Sequence, residues 1–93
     1  MNELAYVDPA QGDVVITFDG RVVELFVNGK ASIARVHVQQ LYLEAKGPHR
    51  KGFYEVDFNS SPNGLGGFNT YVPGEAWPQF AAFLQTVSAA TGR

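Results

Sequence analysis

The stretch Asn69–Gly92, NTYVPGEAWPQFAAFLQTVSAATG, changes its hydrophobic period part-way along, and that change decides the fold. Asn69–Val72 reads as a strand. From Trp77 onward, Trp77, Phe80, Ala81, Leu84, Val87 and Ser88 recur at the three- and four-residue spacing of one helix face. The spacing predicts a helix over about Glu75–Ala90, with Trp77 and Leu84 deeply buried. Glu75 suits the positive end of the helix dipole, Pro78 is tolerated in a first turn whose amides lack helical acceptors, and Gly92 is a natural stop.

Upstream, the period is two. Val14, Ile16 and Phe18 alternate with Val15 and Thr17 in a strand beginning at Asp13. Asp19-Gly20 reads as a tight turn, and Arg21–Val27 as the next strand, with Phe26 facing outward. Asn28-Gly29 repeats the hairpin signal. Further strands are expected at Ala31–Val36, Gln40–Ala45 and Phe53–Phe58, the last placing Tyr54, Val56 and Phe58 on one face. The step at His37–Gln39 is ambiguous, KGPHRK (residues 46–51) is a wider hairpin loop, and Asn59–Phe68 is a long loop. Residues 1–12 lack sustained periodicity. They read as an N-terminal arm with at most a short strand near Leu4–Val7, leaving 13–93 as the domain. The fold class expected is mainly β: six or seven antiparallel strands in an open barrel or sandwich, capped by one C-terminal helix.

The runs FDGRVVELF (18–26), IARVHVQQLYLEAK (33–46), GFYEVDF (52–58) and NTYVPGEAWPQFAAFLQTV (69–87) resemble the small bacterial pleckstrin-homology-like domains. The resemblance covers about residues 13–90 and implies a strongly bent sheet plugged by the helix. It also implies a role as an interaction module. Members of that fold that bind phosphoinositides do so through cations around the first hairpin. Here Asp19-Gly20, taken as that hairpin, is short and acidic, so phosphoinositide binding is not expected.

Composition narrows the chemistry. The 93 residues include no cysteine, so thiolate nucleophiles, disulfides and Cys-ligated zinc are excluded. The net charge of −2 gives no reason to expect a nucleic-acid partner. The opening residues lack the pattern of a signal peptide and no apolar run is long enough to span a bilayer, so a cytoplasmic location is expected, and the Asn59-Ser60-Ser61 sequon reads as accidental. No cofactor is expected. His37 and His49 have no metal-ligand spacing, and Glu24, Glu44, Glu55 and Asp57 alternate with inward apolar residues as a solvated face would. Ser60 and Ser61 lie in no nucleophile elbow, and the glycines at 64, 66 and 67 are not followed by Lys-Ser/Thr. An enzyme is therefore not expected.

Two surfaces stand out. From Ala76 to Thr91 the helix carries no charge, and Ala82, Thr86 and Ala89, with Phe83 beside them, form a strip on which a partner can pack, most simply a second copy. The KGPHRK loop gathers Lys46, His49, Arg50 and Lys51 as an anion-contacting hairpin. The leading expectation is a non-catalytic protein-interaction module. The alternatives are a peripheral binder of anionic membranes through Lys46–Lys51, or a small enzyme with a site beneath the Asn59–Phe68 loop.

Overall fold

A computed structural model describes residues 2–29, 32–63 and 66–92, with 32 and 33 by their backbone alone. β1 (Asn2–Asp8), β2 (Gly12–Phe18), β3 (Val22–Val27) and β4 (Ser32–His37) form one antiparallel sheet in that order. β5 (Tyr42–Lys46), β6 (Phe53–Asn59) and β7 (Phe68–Pro73) form a second. A single-turn 3-10 helix, Val38–Gln40, links them where the sequence was ambiguous, and the His37 imidazole caps it by accepting from the Gln39 amide at 3.1 Å. A second 3-10 turn, Gly74–Ala76, leads into α1 (Trp77–Thr91). No ladder joins the two sheets among the described residues, so the fold is an open sandwich plugged by α1. Ala31, expected to open the third strand, lies outside the described residues.

The alternation read from the sequence sets the inner faces. Val14, Ile16 and Phe18 of β2, Val23 and Leu25 of β3, and Val56 and Phe58 of β6 are all buried. They are joined by Val72, Phe80, Phe83 and Val87. Phe80 is the hub: Tyr6 meets its ring edge-on at 5.4 Å, Phe58 at 6.4 Å, and Trp77 and Phe83 flank it along the helix. Offset and edge-to-face contacts of this kind add to the area each ring buries.

Residues 2–8 are not an arm. They form a full strand in register with β2, from Asn2 opposite Phe18 to Asp8 opposite Gly12. This makes Asp8–Gly12, not Asp19-Gly20, the first hairpin. It carries no Lys or Arg. In the Asp19-Gly20 turn Gly20 is left-handed and Asp19 is not. Gly20 has φ 98°, while the Asp19 carboxylate accepts the Arg21 and Val22 amides at 2.8 Å each. Those amide bonds hold its carboxyl below the usual range.

The new strand also rotates the helix. Tyr6 and Leu4 of β1 pack on the core beside α1, so the buried stripe is Phe80, Phe83 and Val87. Trp77 and Leu84, expected deep inside, are only half-buried, whereas Phe83, expected at the edge of the core stripe, is 5% exposed. Trp77 instead stacks on Tyr54 with ring centres 3.9 Å apart.

β1 is anchored through Asp8, a carboxylate only 1% exposed. It accepts from the Ala10 amide at 2.7 Å, the Gln11 amide at 3.1 Å and the Gln11 side-chain amide at 2.9 Å, closing the β1–β2 turn. From β7 it receives the Thr70 hydroxyl at 2.8 Å and the Tyr71 amide at 2.9 Å. Because Thr70 spends its one proton on Asp8, its oxygen accepts from the Tyr6 hydroxyl, 2.6 Å away. Burial by itself would raise the Asp8 pKa. The bonds from Tyr71, Ala10, Thr70 and Gln11 outweigh it and hold the carboxyl below the usual range.

Asp8→Asn places an amide against donors, and should cost about 2–4 kcal/mol at neutral pH, read by urea denaturation. The depressed pKa means that the stability Asp8 supplies is complete above its unfolded value, roughly 4, and is lost as pH falls through the folded one. The fall in stability of the wild type between about pH 5 and pH 2 should therefore be shallower in Asp8→Asn, with Asp19 retaining part of the slope. A second check concerns the rotation of α1. Phe83→Ala should cost about 3–5 kcal/mol and Leu84→Ala only about 1–2, while Ala82→Glu should stay within about 0.5. Leu84→Ala costing more than Phe83→Ala would contradict the observed packing.

Candidate functional site

The structure divides the KGPHRK loop in two. The loop is closed by the His49 amide donating to Phe53 and the Gly52 amide donating to His49, both at 2.8 Å. Lys46 turns back along the sheet, its Nζ 3.6 Å from Glu44 and 3.9 Å from Asp57. His49 Nε2 lies 3.9 Å from Glu55, and its ring sits 5.0 Å from that of Phe53. Arg50 and Lys51, at the tip, make no ion pair with a described residue. The four residues proposed as one anion-contacting hairpin are thus brought to one loop, but only two present unpaired charge. The signal for this was in the sequence: a hairpin centred on the loop sets Glu44 opposite Asp57 and Lys46 opposite Glu55.

The paired residues belong to the outer face of β5–β6–β7. There Glu44, Lys46, Asp57, Asn59 and Asn69 border an open polar hollow of about 450 Å³. Partial burial raises the Asp57 pKa, aided by Glu55 and Glu44 and opposed by Lys46. Across the ladder, the Asn69 amide donates to Glu55 at 3.4 Å. The hollow can hold a polar group by hydrogen bonds, and Lys46 offsets part of its negative charge. Among the described residues no three His, Cys, Asp or Glu side chains are grouped to hold a metal. His37 is in the other sheet from β6 and serves as a cap, and Glu24 faces Arg35 at 3.7 Å. Gly64, within the long loop, lies outside the described residues.

The helix strip is present in part. Ala82, Thr86 and Ala89 are exposed, whereas Phe83 belongs to the core. The Thr86 hydroxyl donates back to the Ala82 carbonyl at 3.3 Å, so its methyl and the alanines define the surface. What sequence reasoning missed is the opposite bank. Asn2, Glu3 and Leu4 of β1 run beside Gln79, Ala82 and Thr86, with Phe83 below, and enclose a groove of about 310 Å³. β1 is an edge strand, so the backbone groups on its outer side have no ladder partner at this end. A smaller groove of about 280 Å³ lies between Leu41–Leu43 and the end of α1 at Ser88 and Thr91.

Among the described residues no helix is long and apolar enough to cross a membrane. No family model matches the chain, and no curated protein or solved structure matches it. None of these comparisons bears on the pleckstrin-homology-like resemblance.

Proposed function

We propose that the chain is a non-catalytic protein-interaction module of pleckstrin-homology-like fold, whose β1–α1 groove takes an extended segment of a partner protein. One observation carries this reading: an unpaired strand edge, Asn2–Leu4, lies directly beside an uncharged helix face with an apolar floor. Strand addition at such an edge supplies main-chain hydrogen bonds, and the adjoining groove selects side chains. Ala82 and Thr86 leave room for a small apolar residue above Phe83. Glu3, the charged residue of the groove, favours a Lys or Arg beside it. A cytoplasmic setting belongs to the same reading and is supported only by the cysteine-free composition.

The membrane alternative has less support. Each cation near an anionic surface contributes about 1 kcal/mol, and of the loop residues Lys46, His49, Arg50 and Lys51 only Arg50 and Lys51 make no ion pair with a described residue. Phosphoinositide recognition has less still, because neither early hairpin offers clustered donors.

Selection from a phage-displayed peptide library tests the groove. Recovered peptides should pair an apolar residue with a basic one and shift the amides of residues 2–4 and 79–86. Ala82→Trp, which fills the groove from an exposed position, should weaken them by about tenfold or more, equivalent to roughly 1.4 kcal/mol. Shifts centred elsewhere, or binding unaffected by Ala82→Trp, would place the interaction on another surface. In parallel, vesicles containing phosphatidylserine should not pellet the protein at about 0.15 M salt, where the Debye length is near 8 Å. Pelleting abolished by Arg50→Glu with Lys51→Glu would put the membrane reading first.

A further inference from the structure

Asn28-Gly29 opens the β3–β4 connection with both residues left-handed, Asn28 at φ 55° and Gly29 at φ 70°. The Asn28 side chain does not stay in its own turn. It reaches the neighbouring β1–β2 turn, where its Oδ1 accepts from the Asp13 amide at 3.1 Å and its Nδ2 donates to the Gln11 carbonyl at 3.3 Å. The Asn28 backbone amide donates to the Asp13 carbonyl at 2.7 Å. Gly12 makes room for this clamp. It has φ 100°, and a Cβ there would stand 2.6 Å from Asn28 Oδ1. Asn28 and Gly29 are nonetheless exposed to water.

Asparagine is a thermolabile residue, and most so before glycine, which has no Cβ to crowd the backbone nitrogen that attacks. The Gly29 nitrogen adds to Asn28 Cγ and gives its proton to a solvent base. The Cγ–Nδ2 bond breaks and ammonia leaves. Water then adds to either carbonyl of the cyclic imide so formed, and the ring opens to aspartate or isoaspartate. The atoms that this chemistry must free are the ones the clamp holds. Asp13 fixes the plane of the Cγ carboxamide through Oδ1, and Gln11 holds Nδ2, the leaving nitrogen. We propose that Asn28 is a gated modification site, where hydrolytic deamidation proceeds only when the contact between the β1–β2 and β3–β4 turns opens. The product changes the clamp. Aspartate still accepts from the Asp13 amide but sets its second oxygen against the Gln11 carbonyl, and isoaspartate lengthens the backbone beside the bond to the Asp13 carbonyl. The site lies at the end of β1 away from the β1–α1 groove, so gating and peptide capture succeed or fail separately.

Timed incubation of the full chain, followed by tryptic digestion and mass spectrometry, tests the gate. Cleavage after Arg21 and Lys30 isolates residues 22–30, in which Asn28 is the only side-chain amide. The amide-to-acid mass gain in that peptide should accumulate at least about tenfold more slowly in native buffer than in guanidinium chloride at the same pH and temperature, equivalent to an opening cost of roughly 1.4 kcal/mol. Asn63-Gly64, the other Asn-Gly pair of the chain, calibrates the dipeptide in the denatured sample. Gly12→Ala leaves Asn28-Gly29 intact but drives a methyl group onto Asn28 Oδ1. It should raise the native rate several-fold while circular dichroism stays that of the wild type. If that variant does not fold, the wild-type comparison decides alone. Equal rates in the native and denatured wild type overturn the proposal, and so does a folded Gly12→Ala chain that reacts as slowly as the wild type.

Discussion

The two sheets share no ladder at the β1–β7 seam, and the Asp8 carboxylate takes the place of one. A strand edge brought into the interior must satisfy its polar groups by other means, since each unpaired one costs a few kcal/mol. Asp8 does this with five acceptor contacts, closing its own turn and holding Thr70 and the Tyr71 amide of β7. The Tyr6 hydroxyl completes the chain by donating to Thr70. No buried side-chain nitrogen or oxygen among the described residues is left without a partner. A fully satisfied polar cluster of this kind specifies one docking of the sheets, whereas apolar contact alone tolerates several.

The rest of the fold follows from that docking. With β1 held against β7, Tyr6 reaches the edge of Phe80, and Leu4 lies beside the helix. The helix turns its Phe83 side toward this added wall. The β1–α1 groove is the residue of that fit: β1 approaches α1 near Phe83 but leaves space where the helix surface is Ala82 and Thr86. At the far end of β1, the same docking brings Val7 and Pro9 beside Lys51, Phe53 and Pro73, joining the outer faces of the two sheets into one surface.

Charge is managed differently on the two sheets. On the outer face of β5–β6–β7, Lys46 lies between Glu44 and Asp57 and offsets part of the negative charge of a polar hollow. The outer face around Val7 carries Asp13 on one side of an apolar ridge and Lys51 with Glu75 on the other.

Much of this was legible in the sequence. The strands β2, β3 and β6 and the helix announce themselves because hydrophobic period is a local property, set by which successive side chains can share a face. The turn residues Asn28 and Gly29, both at positive φ, and Gly92 at the helix end were equally plain. The neutral helix surface at Ala82, Thr86 and Ala89 could be read from the absence of charge. What the sequence concealed was β1. NELAYVD begins with polar residues and ends on an inward-facing aspartate, which locally resembles a turn. Its burial depends on donors 62 and 63 residues away, on Thr70 and Tyr71. That single non-local fact also hid the rotation of α1, the burial of Phe83 and the groove itself. Period tells which face of an element is apolar, but only the tertiary structure decides what covers that face, because covering is a contact between segments that the local pattern does not contain.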